Sequence, residues 1–173
     1  MSLISRLAIA CFSVITAIPA HAETAILECT GDAAFPGGAS TARARELRMP
    51  GMALFTFRTW NVTRWSVDKA TVFLHIGRGD APATVEVAVI PEKWAEIELP
   101  RLDPAKLKFV SQKAQGQPEN WLEIDIPGSM VEDVAANRAH GFVIRFKAAK
   151  ELVLHSRESV AFSPYLIVTG TGR

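Results

Sequence analysis

The last third of the chain limits the possible folds more than any other stretch. Leu122, Ile124 and Ile126 alternate with Glu123 and Asp125, the period of two that turns one face of a strand to a core and the other to water. Ser129 and Glu132 then form a Ser-x-x-Glu pattern, a capping-box signature that predicts a short helix near 129–137. Phe142, Ile144 and Phe146 alternate with Val143, Arg145 and Lys147, Leu152 and Leu154 repeat the pattern, and "PYLIVTG" closes it. Successive strands without helices between them argue against an α/β sheet. They predict an all-β, antiparallel, jelly-roll-like β-sandwich with that one helix.

Upstream, strands are expected near 25–30, 43–49, 52–59, 69–76 and 83–90, with "PG" at Pro50–Gly51 and "GRGDAP" as turns between them. The stretch 91–120 carries four prolines and the polar run "SQKAQGQPEN". It is expected to hold short strands near 95–99 and 107–112 and a long surface loop. With no repeat or linker, residues 23–173 read as a single domain.

Arg6 followed by "LAIACFSVITAI" and the small-x-small site "AHA" at 20–22 reads as a cleaved signal peptide over 1–22. The expected mature chain starts at Glu23 and is exported to the periplasm or beyond. The apolar run of the leader is too short for a comfortable span and no second one follows, so no membrane insertion is expected. Without Arg6, basic and acidic residues balance at 18 each, which gives no electrostatic footprint for nucleic acid. Cys29 is the one cysteine left after the leader. It reads as a small apolar filler, with an interchain disulfide as the sharper alternative.

Several segments together resemble the DNRLRE-type secreted β-sandwich domain, related to carbohydrate-binding module family 96. The pieces are "ALFTFRTW" (53–60), "KATVFLHI" (69–76), "TVEVAVI" (84–90), "WLEIDIPGSMV" (121–131), "GFVIRF" (141–146), "SRE" (156–158) and "PYLIV" (164–168). Their order matches the family from about Ala25 to Gly170. The chain departs from it at Thr56-Phe57-Arg58, where members tend to have Arg-Phe-Asp, and it lacks the eponymous string. The resemblance implies glycan binding without catalysis. No cofactor is expected; the alternative is a structural calcium ion of the kind many jelly-roll glycan modules hold between an early loop and the last strands, for which Asp32 and Glu158 are the candidate oxygen ligands.

Parity puts Trp121 on the polar strand face with Glu123 and Asp125, and puts Arg145 and Lys147 on the polar face of the next core strand. If those strands are neighbours, one ring, two carboxylates and two cations share a face suited to an acidic or hydroxyl-rich polysaccharide. The plainer reading is a solvated face with cross-strand ion pairs. Trp94 either lines a cleft or caps the core. His75, His140 and His155 are scattered, and no HExxH, G-x-S-x-G or phosphate loop occurs, so no enzyme activity is expected. The rival reading is a structural or interaction protein of the cell envelope, binding a protein partner through an exposed Trp60–Trp65 patch.

Overall fold

The computed structural model describes residues 21–35, 45–49, 51–96, 101–146 and 152–172. The predicted leader and Lys147 lie outside the described residues, apart from positions 21 and 22. Ten strands follow in order: β1 (Glu23–Phe35), β2 (Glu46–Met49), β3 (Met52–Phe57), β4 (Trp65–Arg78), β5 (Thr84–Val89), β6 (Val110–Gly116), β7 (Trp121–Ile126), β8 (Phe142–Arg145), β9 (Leu152–His155) and β10 (Tyr165–Gly172). Among the described residues one α-helix, α1 (Gly128–Ala135), joins β7 to β8. The all-β, antiparallel expectation holds.

The sheet does not split into the two layers of a sandwich. Its strands follow one another as β1-β3-β8-β5-β6-β7-β4-β10, and β10 pairs back onto β1, so eight strands close into an antiparallel barrel. β9 and β2 extend the sheet from the far end of β4. Two features make closure possible. β1 carries a bulge between Cys29 and Gly31, and its two halves take different partners, β10 before the bulge and β3 after it; bulges bend and twist a strand in this way. β4 is fourteen residues long and pairs with β10, β7 and β9. Both features depend on partners distant in sequence, which the local alternation does not encode.

The inside of the barrel is apolar and filled. Leu27, Phe55, Leu74, Leu122, Ile124, Phe142, Ile144 and Leu166 are all at 1 % exposure or below and belong to one continuous core. An eight-strand barrel is just narrow enough for side chains to fill. This apolar interior differs from the polar lumen of a lipid-embedded barrel. Helix α1 adds Val131, Val134 and Ala135 to this core. Gly141 has φ +133° and lies so close to β3 that a Cβ there would stand 2.4 Å from the Phe55 carbonyl oxygen. Only glycine accepts that approach and that dihedral.

A second, smaller core lies on the outside of the barrel. Ala33, Met52, Leu54, Ile90 and Val143, on or next to β1, β3, β5 and β8, are covered by Trp94, Leu102, Leu107 and Phe109. Trp94 and the described residues 101–109 therefore form a strap across one wall. Part of the polar run expected as loop is instead strand β6. The predicted capping box also forms differently. Pro127 occupies the N-cap position with no side-chain cap bond, and the Glu132 carboxylate accepts from the Val67 N–H of β4 at 3.0 Å. Glu132 thus ties the helix to the barrel rather than closing its own first turn.

Candidate functional site

Strand register arranges the outward side chains of the wall opposite the strap in rows. One row runs Glu28, Tyr165, Phe73, Glu123 and Gln115 across β1, β10, β4, β7 and β6. The next runs Ile26, Ile167, Thr71 and Asp125. A third holds Thr24, Thr169 and Lys69, with the two threonine hydroxyls 3.3 Å apart. On the other side of the first row, Trp121 faces His75. Leu122, Ile124, Val72, Leu74, Leu166 and Val168 are the inward counterparts and belong to the core.

The rings of this wall touch one another. Phe73 and Tyr165 stack with centres 4.7 Å apart and planes at 5°. Trp121 meets Tyr165 edge-on at 5.4 Å and His75 at 5.1 Å. Burial, and then the Glu123 charge, push the Tyr165 phenol above its ordinary range. Beside the rings, Lys69, Thr71, Phe73, Glu123, Ile167 and Thr169 line a shallow groove of about 240 Å³. Ile26 remains 67 % exposed at its border. The wall therefore offers contiguous aromatic edges with hydroxyls and carboxylates in adjoining rows.

Trp121, Glu123 and Asp125 share this face, as parity predicted. Arg145 does not join them, because β8 and β7 are separated by β5 and β6. Its guanidinium pairs with Glu86 on β5 and lies 3.9 Å over the Phe109 ring, under the strap. The expected face thus loses Arg145, while Lys147 lies outside the described residues, and among the described residues the face holds three rings with acids, hydroxyls and Lys69. Phe73 shares the parity of Lys69, Thr71 and His75 in "KATVFLHI", so alternation already puts it on the outer face, although it was not read as a site residue. In "PYLIV" both parities are apolar, and only the register reveals that Tyr165 faces out.

Trp94 belongs to the strap. Its indole N–H donates to the His140 carbonyl at 3.0 Å and its ring packs on the outer core, as the core-capping alternative held. It also borders two adjoining hollows of about 280 and 330 Å³ that share Thr56.

The two proposed cation ligands do come together, around Arg157. The Asp32 carboxylate, 3 % exposed, accepts from the Arg157 main-chain N–H at 2.6 Å. Arg157 grips Glu96 with two hydrogen bonds and reaches Glu158 at 3.1 Å. Glu96 in turn accepts from the Asp32 N–H at 3.1 Å. A guanidinium thus already stands among the carboxylates that a calcium ion would need. Burial, reinforced by Glu96 and Glu158 against the pull of Arg157, raises the Asp32 pKa to about 7. Cys29, buried nearby with its thiol donating to the Gly31 carbonyl, is held well above the usual thiol range, first by burial and then by Asp32. That environment suppresses the thiolate a nucleophile needs.

No family model matches the chain, and no curated protein is significantly similar to it.

Proposed function

We propose that the chain binds a polysaccharide, without transforming it, through the outer wall of β10, β4 and β7. The observation that carries the reading is the contiguous set Trp121, Tyr165 and Phe73, flanked by Glu123, Asp125, Thr71 and Thr169. Aromatic surface beside a few directional polar groups is what sugar rings require, apolar C–H faces against rings and hydroxyls against carboxylates. The ordered segments that resemble DNRLRE-type modules support the same reading, although the barrel departs from the jelly-roll architecture of those modules. So does the predicted leader over 1–22, which would deliver the protein to a compartment where glycans lie.

The charge of the wall favours a neutral glycan over an acidic one. Glu123 and Asp125 face outward with Lys69 as the nearby cation, and Glu28 is paired with Arg58 at 3.2 Å. The cation once expected there, Arg145, serves Glu86 instead. Two carboxylates in successive rows of one exposed strand face suit hydroxyl binding better than acid–base catalysis.

Affinity electrophoresis of the chain from Glu23 through gels of neutral and acidic polysaccharides tests the reading. Retardation by neutral gels is expected, weakened about tenfold in Trp121→Ala and in Tyr165→Ala while circular dichroism stays unchanged. A chain that runs freely in every gel refutes glycan binding for those polymers.

A second reading draws on exposed apolar groups. Ile26, Trp60 at 72 % and Val160 at 96 % exposure suit a protein partner in the envelope. Free migration in every gel, together with a specific complex captured by cross-linking at Val160→Cys, would favour it.

A further inference from the structure

His75 on β4 and His155 at the end of β9 stand side by side on the outer surface. Register pairs Ile76 with Leu154, which makes the two histidines the next facing pair. Their ring centres are 5.0 Å apart with planes at 61°. Phe162, in the turn before β10, covers both at 4.0 and 5.0 Å, and Trp121 closes the far side of His75. His75 is 7 % exposed. Both Nδ1 atoms are buried and lack a hydrogen-bond partner, and among the described residues these are the two buried side-chain nitrogen or oxygen atoms in that condition.

Buried polar atoms are rarely left unpaired, because an orphan forfeits its hydrogen bonds to water. Two orphans of the same kind on adjacent residues point to one shared partner. We propose that His75 and His155 bind a single divalent transition-metal ion of the zinc, nickel or copper type through their Nδ1 atoms, beneath Phe162. This inference is independent of glycan binding.

The spacing fits. Metal–imidazole bonds are about 2.0–2.1 Å, so two rings on one ion at a near-tetrahedral angle have centres roughly 5 Å apart. Facing residues on antiparallel strands bring their Cβ atoms to about 4.5–5.5 Å, close enough for both rings to reach one ion. The chemistry selects the class, because imidazole nitrogens suit zinc, copper and nickel, whereas calcium and magnesium need oxygens. The environment keeps the ligand available. At 7 % exposure, burial disfavours the charged imidazolium of His75, the form that cannot bind a metal. Two protein ligands leave the remaining coordination positions to water or to a donor from outside.

Zinc titration of the chain from Glu23, which holds every described strand and the helix, tests the proposal by calorimetry and imidazole ¹⁵N spectra at pH 7.5. One ion per chain is expected, with the Nδ1 signals of His75 and His155 shifting and those of His140 unmoved. His155→Gln should weaken binding at least tenfold, the His75→Gln/His155→Gln double variant should abolish it, and acidification to pH 5.5 should release the ion. Absence of binding, as for a pair bridged by a buried water, overturns the proposal, and so does binding that survives in the double variant. Should the double variant not fold, His155→Gln decides, because that side chain is only half-buried at a strand end.

Discussion

At the scale of single residues, the wall opposite the strap and the Asp32 network follow opposite physical rules. On the wall, half-buried rings stand beside the partly buried Glu123 and the exposed Asp125. Asp32 is sealed under Arg157 and Glu96 and holds structure together. Because its folded pKa of about 7 exceeds the ordinary 3.8, the unfolded chain releases that proton first. Its contribution is fully present below pH 4, is lost as pH rises toward 7, and is constant above. Asp32→Asn should therefore flatten this part of the profile and stabilise the protein at pH 8 by roughly 2–4 kcal/mol, read by urea unfolding across pH 4–8. His75 acts with the opposite sign. Its lowered pKa means the unfolded chain protonates first, so its contribution is present above about pH 6.5 and lost as pH falls further. Comparing His75→Gln with the parent below pH 6.5 isolates that part.

At the scale of elements, α1 shows how a correct local prediction can hide a different cause. Ser129 and Glu132 mark the helix, yet Ser129 is exposed and Glu132 bonds to Val67 of β4. Ser129→Ala is expected to change stability by less than about 0.5 kcal/mol. Glu132→Ala, which leaves the Val67 N–H unpaired, should cost about 1–3 kcal/mol. Equal losses from both, in chemical denaturation, would restore the capping box. Gly141 gives the sharper element-level test. Gly141→Ala forces a Cβ against the Phe55 carbonyl at a positive φ, and a loss of at least about 2 kcal/mol is expected, read as a lower thermal midpoint.

At the scale of the whole molecule, β10 is the closing strand, paired to β1 on one side and to β4 on the other. A chain ending at Ser163 loses both pairings and opens two long apolar edges, since Leu166 and Val168 are fully buried. Such a chain should lose cooperative unfolding and aggregate, as followed by near-UV circular dichroism and light scattering. A soluble, cooperatively unfolding truncation would mean that the remaining strands suffice as an open sheet. Closure also separates the two walls. The strap covers β1, β3, β5 and β8, and the rings of β10, β4 and β7 lie on the other wall.

What the sequence determined by itself was local. Period-two alternation identified β7, β8 and β9 and sorted Trp121, Glu123 and Asp125 to the outer side of their strand, because side-chain direction depends only on the next residue along. Ser129 and Glu132 located a helix for the same reason. Tertiary structure decided everything that depends on a neighbour. The bulge after Cys29 bends β1 between two partners, the length of β4 lets it serve three, and together they turn an expected sandwich into a barrel. The same pairing sends Arg145 to Glu86 and Phe109 and brings Phe73, Tyr165 and His75 to Trp121. Strand pairing joins residues such as Thr24 and Thr169, 145 positions apart, and a two-residue period carries no information over that distance.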